Sequence, residues 1–227
     1  MTNQRNPLTL NHKVLFMHSE KQHLEALQDI RQMMQRSSRF ISLSGLSGIA
    51  AGAWALLGAI AANRAIGSYY RDYNTNQGYS GPAFQQLKLD LLLLAAGVLA
   101  LSLLSAFYFT WRKTKADQTT LWSHSSRQLI ISLFIPLAAG GLFILSMLQY
   151  SEWRFVTPGC LLFYGVALLN ASKYTLRDIK YLAISEIILG LIATQFIGYG
   201  LYFWAVGFGV LHIVYGFIMW WKYERNK

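Results

Sequence analysis

The sequence is poor in several residues that soluble chemistry relies on. There is one cysteine, Cys160. That excludes an intramolecular disulfide and any multi-cysteine metal site, and it leaves the redox compartment unreadable. Set in an apolar stretch, Cys160 reads as a small packing residue before it reads as a reactive thiol. Charged residues make up only 13% of the chain, against about 25% in a typical soluble domain. Histidines are few. His12, His18, His23 and His124 lie in polar segments without paired metal-ligand spacing, and only His212 lies within an apolar block. A bis-histidine haem inside a membrane needs two such histidines. No glycine-rich phosphate loop of the Walker type is present, so nothing points to ATP. There is no internal repeat, no low-complexity tract and no polar stretch long enough for a catalytic module. No cofactor or metal is expected.

What the chain has instead is apolar length. Hydrophobic residues make up 54% of it, gathered in six blocks at about 41–62, 89–111, 129–150, 155–171, 178–197 and 201–221. Most approach the roughly 20 residues needed to cross the hydrocarbon core. The expected fold is therefore all-α: a polytopic membrane bundle of six transmembrane helices. Pro136 and the pair Gly140–Gly141 mark bend points in the third block. The fourth block is short enough to be read as re-entrant. Thr157 followed by Pro158 resembles its helix start, where the missing N–H of proline costs little. Thr175, with Asp178 three residues on, resembles a capping signature for the fifth.

Net charge is +10. In a soluble chain that would suggest nucleic acid, but here the basic residues flank apolar blocks, so the explanation is topological. With the N-terminus inside and six crossings, every lysine and arginine falls on the cytoplasmic side except Arg64, Arg71, Lys88 and Arg154. Removing the fourth crossing would put the basic tail outside and spoil this asymmetry, so the short block is expected to span. The N-terminus does not read as a secretory signal. The chain thus divides into a cytoplasmic tail and amphipathic helix at 1–38, a transmembrane domain at 39–222 and a cytoplasmic tail at 223–227. The expected place is the bacterial inner membrane, with both termini cytoplasmic.

Two polar segments carry their own readings. Between residues 19 and 38, Leu24, Leu27, Ile30 and Met34 recur at helical spacing among charges, the pattern of an amphipathic helix. It would lie on the lipid surface, meet a protein partner, or pack on the cytoplasmic loops. The first outer connection, Asn63 to Lys88, reads as a loop bearing Tyr69, Tyr70, Tyr73 and Tyr79. Tyrosines there serve as interfacial anchors or, as the sharper reading, line a ligand-contacting lid.

Several segments resemble a known group. They are Arg36-Ser-Ser-Arg-Phe40 leading into Ser42-Leu-Ser-Gly-Leu-Ser-Gly48, Phe163-Tyr-Gly165 with Asn170-Ala-Ser-Lys-Tyr174, and Gly207-Phe-Gly-Val-Leu-His-Ile-Val-Tyr-Gly216. The chain resembles, from the amphipathic segment onward, an uncharacterised group of six-span inner-membrane proteins of Bacteroidota-type bacteria. The resemblance implies an inner-membrane location and brings no activity with it.

Two ionisable residues sit within spans: Glu186 in the fifth block and His212 in the sixth. Intramembrane charges are costly and are functional hypotheses by default. The turn Gly198-Tyr199-Gly200 joins the two blocks as an antiparallel hairpin. Each residue lies 13 positions from Tyr199, so equal rise places them at one depth. Small residues flank both, as Ala183–Glu186–Gly190–Ala193 and Ala205–Gly209–His212–Gly216, and such stripes mark close helix contact. Facing stripes would set Glu186 against His212, with Tyr215 one turn toward the cytoplasm. The pair would then be a proton-responsive or substrate-binding site, or a structural hydrogen bond locking two helices.

A weaker pattern is Gly45-Leu46-Ser47-Gly48, which matches the Gly-x-Ser-Gly of rhomboid intramembrane proteases. Ser47 with His212 would supply a nucleophile and base. The departures are large: Ser47 is on the first span rather than the fourth, and near the inner side rather than the outer. Close packing of a glycine-rich helix explains it equally. Three function classes follow: a non-catalytic adaptor, sensing or structural membrane protein; a small proton-linked transporter or channel using Glu186 and His212, which at six spans implies a homo-oligomer or compact pore; and an intramembrane hydrolase.

Overall fold

The computed structural model describes residues 44–76, 81–118 and 122–225. The expected amphipathic helix at 19–38 lies outside them, as does Tyr79. Among the described residues the chain is helical, without strands. Its helices are α1 (Gly45–Asn76), α2 (Gly81–Ala116), α3 (His124–Gln149), α4 (Val156–Ala171, preceded by a 3₁₀ turn at Trp153–Phe155), α5 (Ile179–Gln195) and α6 (Gly200–Tyr223). Within α6, residues Ala205–Leu211 form a π-helical segment.

Five of these are long and apolar enough to cross a membrane. The fourth block is one of them: the 3₁₀ turn runs into α4 to give a helix of 19 residues. The remaining helix, α5, has 17 residues, about 25 Å of rise against a hydrocarbon core of about 30 Å. This is a multi-pass membrane protein.

The first outer connection differs from its expected form. It is mostly helical, because α1 continues to Asn76 and α2 begins at Gly81. No Gly or Pro interrupts Asn63–Asn76 apart from Gly67, so nothing stops the helix where it leaves the lipid. Tyr69, Tyr70 and Tyr73 ride on α1 rather than on a loop. Tyr69 meets Tyr70 edge-on at 5.6 Å between ring centres and Phe84 of α2 at 5.9 Å. These contacts make an aromatic seam within the α1–α2 hairpin.

Polar contacts sort the helix ends into two groups. At one end Glu224, just past α6, accepts from the Gly45 backbone at 2.6 Å and the Ser44 hydroxyl at 3.2 Å, and pairs with Lys113 of α2 at 3.0 Å. A carboxylate at a helix start satisfies free N–H groups and opposes the helix dipole favourably. One side chain thereby fastens α1, α2 and α6. At the same end Asp178 accepts from Lys222 and from the Tyr223 hydroxyl, both at 2.8 Å. At the other end the Lys88 ammonium sits over the Phe84 ring at 4.6 Å and the Trp153 ring at 5.1 Å, tying α2 to the α3–α4 turn.

Asp178 directly precedes α5 and makes no side-chain cap there; its carboxylate reaches across to Lys222 and Tyr223 of α6. Burial works to raise the carboxyl. The hydrogen bonds from Lys222 and Tyr223, with the lysine's charge, outweigh that and hold it below its ordinary value of 3.8.

The stripes of small residues do mark close contacts, but with partners other than those expected. Gly209 and Gly216 of α6 face α1, not α5. A Cβ on Gly216 would lie 2.6 Å from the Gly45 carbonyl oxygen and the Ile49 nitrogen, and one on Gly52 would lie 2.6 Å from the Gly209 carbonyl oxygen. On α5, Gly190 meets Leu161 and Leu162 of α4, while Gly165 of α4 meets Ala183 and Ile187 of α5. Helices α2 and α3 lie at the periphery, on α1 and α4 respectively. Hydrogen bonds fasten them to those neighbours: Trp54 donates to Ser105 at 3.0 Å and Asn170 to the Ser132 carbonyl at 2.9 Å.

Two outcomes are expected. Gly216→Ala should lower the unfolding temperature in detergent, through a cost of about 1–3 kcal/mol for a methyl with nowhere to go. Gly97→Ala and Gly141→Ala, whose surroundings are open, should leave it unchanged. Second, a depressed carboxyl stabilises the fold above its unfolded pKa, and that contribution is lost as pH falls through the lowered value. Asp178→Asn should therefore melt earlier than the native chain at neutral pH, and the gap should close well below pH 3.8.

Candidate functional site

Glu186 and His212 do meet. Glu186 Oε1 lies 3.5 Å from His212 Nδ1, at the depth that the hairpin geometry requires. The hairpin turn is as expected: α5 ends at Gln195, Gly198 takes a positive φ of 103° and α6 starts at Gly200. The positive φ is the conformation that only glycine adopts without strain.

The contact is not the direct hydrogen bond of a simple lock. His212 uses both ring nitrogens elsewhere. Nδ1 lies 3.0 Å from the Gly207 carbonyl oxygen, and Nε2 lies 2.7 Å from the hydroxyl of Tyr164 on α4. A carbonyl can only accept, so Nδ1 carries a proton. In the neutral ring Nε2 is then bare and accepts from Tyr164. The Gly207 carbonyl reaches the imidazole because it lies in the π-helical segment, where the α-helical bonding register is interrupted. Gly207 also stands against the carboxylate: a Cβ there would lie 2.8 Å from Glu186 Oε2.

Glu186 is 0% exposed and His212 7%. No group among the described residues donates a hydrogen bond to either Glu186 oxygen. Leu161 of α4 and Leu189 of α5 stand beside Gly207 along with the carboxylate. Net charge in such a place is expensive. The cluster can avoid it in two ways: neutral carboxyl with neutral imidazole, or carboxylate with imidazolium. These hold the same number of protons and differ by one moved from the carboxyl to the bare ring nitrogen, Nε2.

Tyr164 joins the site without having been expected from the pattern of the sequence. It was legible only as part of Phe163-Tyr-Gly165. Its ring packs against His212 at 5.4 Å and Phe208 at 5.3 Å, and Phe208 packs against Trp204 at 4.6 Å. Tyr215, by contrast, lies on the Asp178 side of the pair and does not bond to it. It packs on the apolar cluster of Leu168, Ile179, Leu182 and Ala183. Its buried hydroxyl has no hydrogen-bond partner among the described residues.

The serine pattern does not assemble a nucleophile and base. The Ser47 hydroxyl donates back to the Ser44 carbonyl, and both nitrogens of His212 are engaged by Gly207 and Tyr164. Ser47 instead belongs to the glycine-rich stretch of α1 that packs on α6. Compared with protein-family models, curated proteins and solved structures, the chain matches none.

The hydrogen bonds predict an unusual tautomer. ¹⁵N-histidine spectra should show neutral His212 protonated on Nδ1. Tyr164→Phe should move the Nε2 resonance toward that of an unbonded nitrogen while leaving Nδ1 protonated.

Proposed function

We propose that this chain is a non-catalytic inner-membrane protein with six spans and both termini cytoplasmic, and that it senses protons through Glu186, His212 and Tyr164. The topology rests on the one-sided distribution of basic residues and on the grouping of helix ends around Glu224 and Asp178. Kinship with the six-span group of Bacteroidota-type bacteria is part of this reading and rests on the segments quoted for it.

One observation carries the functional reading. A wholly buried carboxyl lies beside an imidazole and receives no hydrogen bond from the described residues. Buried polar groups kept for structure alone are ordinarily satisfied, because an unmade bond forfeits the stabilisation that would justify them. An unsatisfied carboxyl next to a titratable ring suits a group that gains and loses a proton. Output would pass to residues 19–38, the segment expected to meet a partner or the membrane surface.

Proton-linked transport is the second reading. It is favoured by the position of the cluster between α4, α5 and α6, and by a glycine-bearing π segment able to change register.

Infrared difference spectra on acidification should show a carboxyl band that disappears in Glu186→Gln, with an accompanying change in tryptophan fluorescence from Trp204. Loss of folded protein in Glu186→Gln and His212→Gln, with no carboxyl band in the native chain, would return the pair to a purely structural role. Proton uptake into liposomes that depends on Glu186 would select transport over sensing.

A further inference from the structure

The groups around the cluster differ sharply on its two sides. Toward the Gly198 turn, the neighbours are apolar or aromatic. On α6 the rings of Trp204, Phe208 and His212 follow one another, at 4.6 Å and 6.0 Å between centres. On α4 and α5, Leu161, Leu189, Gly190 and Ala193 fill the same layer, and Leu161 and Ala193 are buried. Cys160 lies in this stretch of α4, and the tyrosines at the turn, Tyr199 and Tyr202, are exposed and beyond the layer.

Toward Asp178 the picture changes. Tyr215 sits one turn from His212, its hydroxyl buried and without a hydrogen bond among the described residues. Tyr215 and Tyr164 both pack on the apolar cluster of Leu168, Ile179, Leu182 and Ala183. Three of those four residues lie on the stretch of α5 between Asp178 and Glu186. Those two carboxyl groups are eight residues apart, about 12 Å along a helix, and the two tyrosines share the apolar cluster that separates them. Asp178 is in turn bonded to Lys222 and Tyr223, and Lys222 is exposed. The other packed elements add nothing that titrates: α1 has no ionisable side chain from Gly45 to Asn63, and α3 has none from Leu129 to Gln149.

We propose that the cluster exchanges protons with one membrane face only, the face carrying Asp178 and Glu224, by a relay running through Tyr215 and Tyr164. The proposal rests on the proton-responsive reading of Glu186 and His212, and it names the side that is sensed. In the inward step a proton from the Asp178 side reaches the Tyr215 oxygen as that hydroxyl releases its own proton inward, with water bridging the gaps. Tyr164 is passed in the same way and donates to His212 Nε2. The ring then releases its Nδ1 proton to Glu186 Oε1. The step starts from the Glu186 carboxylate beside a neutral ring, the costly charged state that proton uptake relieves; each intermediate group gains one proton and loses one, so the net change is protonation of Glu186 and a change of tautomer on His212. Rotation of the ring, or the reverse relay, resets it. Under the topology proposed above, the face sensed is the cytoplasmic one.

The test uses the full chain in unilamellar vesicles of uniform orientation, set by capture through a C-terminal tag. The probe is a pH jump applied to one side at a time. The readout is the infrared carboxyl band assigned by its loss in Glu186→Gln. The band should follow the pH on the side of the C-terminus and ignore the other. Tyr215→Phe should slow the response at least about tenfold, equivalent to about 1.4 kcal/mol of barrier, without moving its midpoint, and Tyr215→Phe should fold because its ring contacts are kept. A band that follows the opposite side, or both sides equally, overturns the relay while leaving Glu186 a proton site. An unchanged rate in Tyr215→Phe does the same. A band that follows neither side overturns the proton-responsive reading and the relay together.

Discussion

The backbone contact between α1 and α6 is the constraint from which the rest of the bundle follows. Lipid is as apolar as any leucine, so a hydrophobic face gives a membrane helix no reason to choose one neighbour. Shape must choose instead. Gly45, Gly48 and Gly52 on one helix, and Gly209 and Gly216 on the other, let main chain approach main chain, with Leu56 and Ile213 filling the spaces beside Gly209 and Gly52. Once α6 has committed that face to α1, its remaining inward face can only turn toward α4 and α5. That is the face bearing the imidazole of His212 and the ring of Tyr215. Glu224 then reinforces the choice at the helix ends by holding α1, α2 and α6 with a single carboxylate.

The second consequence is local. The π segment displaces the Gly207 carbonyl from its usual axial role and presents it to His212 as an acceptor. With Nδ1 so occupied, the imidazole cannot also form a short bond to Glu186, and the carboxylate is left at 3.5 Å. The geometry is one in which a proton is poised between two groups rather than locked between them. Glu186 is wholly buried, and Leu161 and Leu189 share the space beside Gly207 with it, so the electrostatic interaction between acid and base is little screened.

Much of this was legible in the residues. Apolar length marked all the described spans, and the basic asymmetry supported the short fourth one, which proves to be a 19-residue helix with its 3₁₀ lead-in. Counting from Tyr199 placed Glu186 and His212 at one depth, because rise per residue is nearly fixed whatever a helix packs against. Lateral partners were not legible. The stripes of Ala183–Ala193 and Ala205–Gly216 announced close contact without saying with whom, since small residues recognise only the absence of bulk. Tyr164 was missed for the same reason: its role depends on α4 lying beside α6, which no periodicity encodes. The π segment leaves no trace in the hydrophobic pattern. The tyrosine-rich connection was read as loop because its residues are polar, yet a helix leaving the membrane needs no apolar face if little opposes its continuation. Thr175 and Asp178 had capping spacing, but that spacing gave no sign that Lys222 and Tyr223, more than forty residues away, would also hold the carboxylate.

The π segment also bears on how such a protein can change over generations. A π turn carries one residue more than the α path it replaces. Deleting a single codon within Ala205–Leu211 would restore a regular α-helix and leave the segments on either side of it in register. The glycine seam and the face bearing His212 would be kept. The displaced Gly207 carbonyl would be lost, and with it the acceptor that holds the Nδ1 proton away from Glu186. Length within this short stretch, more than the identity of its residues, is therefore the heritable trait that separates a descendant with a poised acid and base from one that bonds them directly.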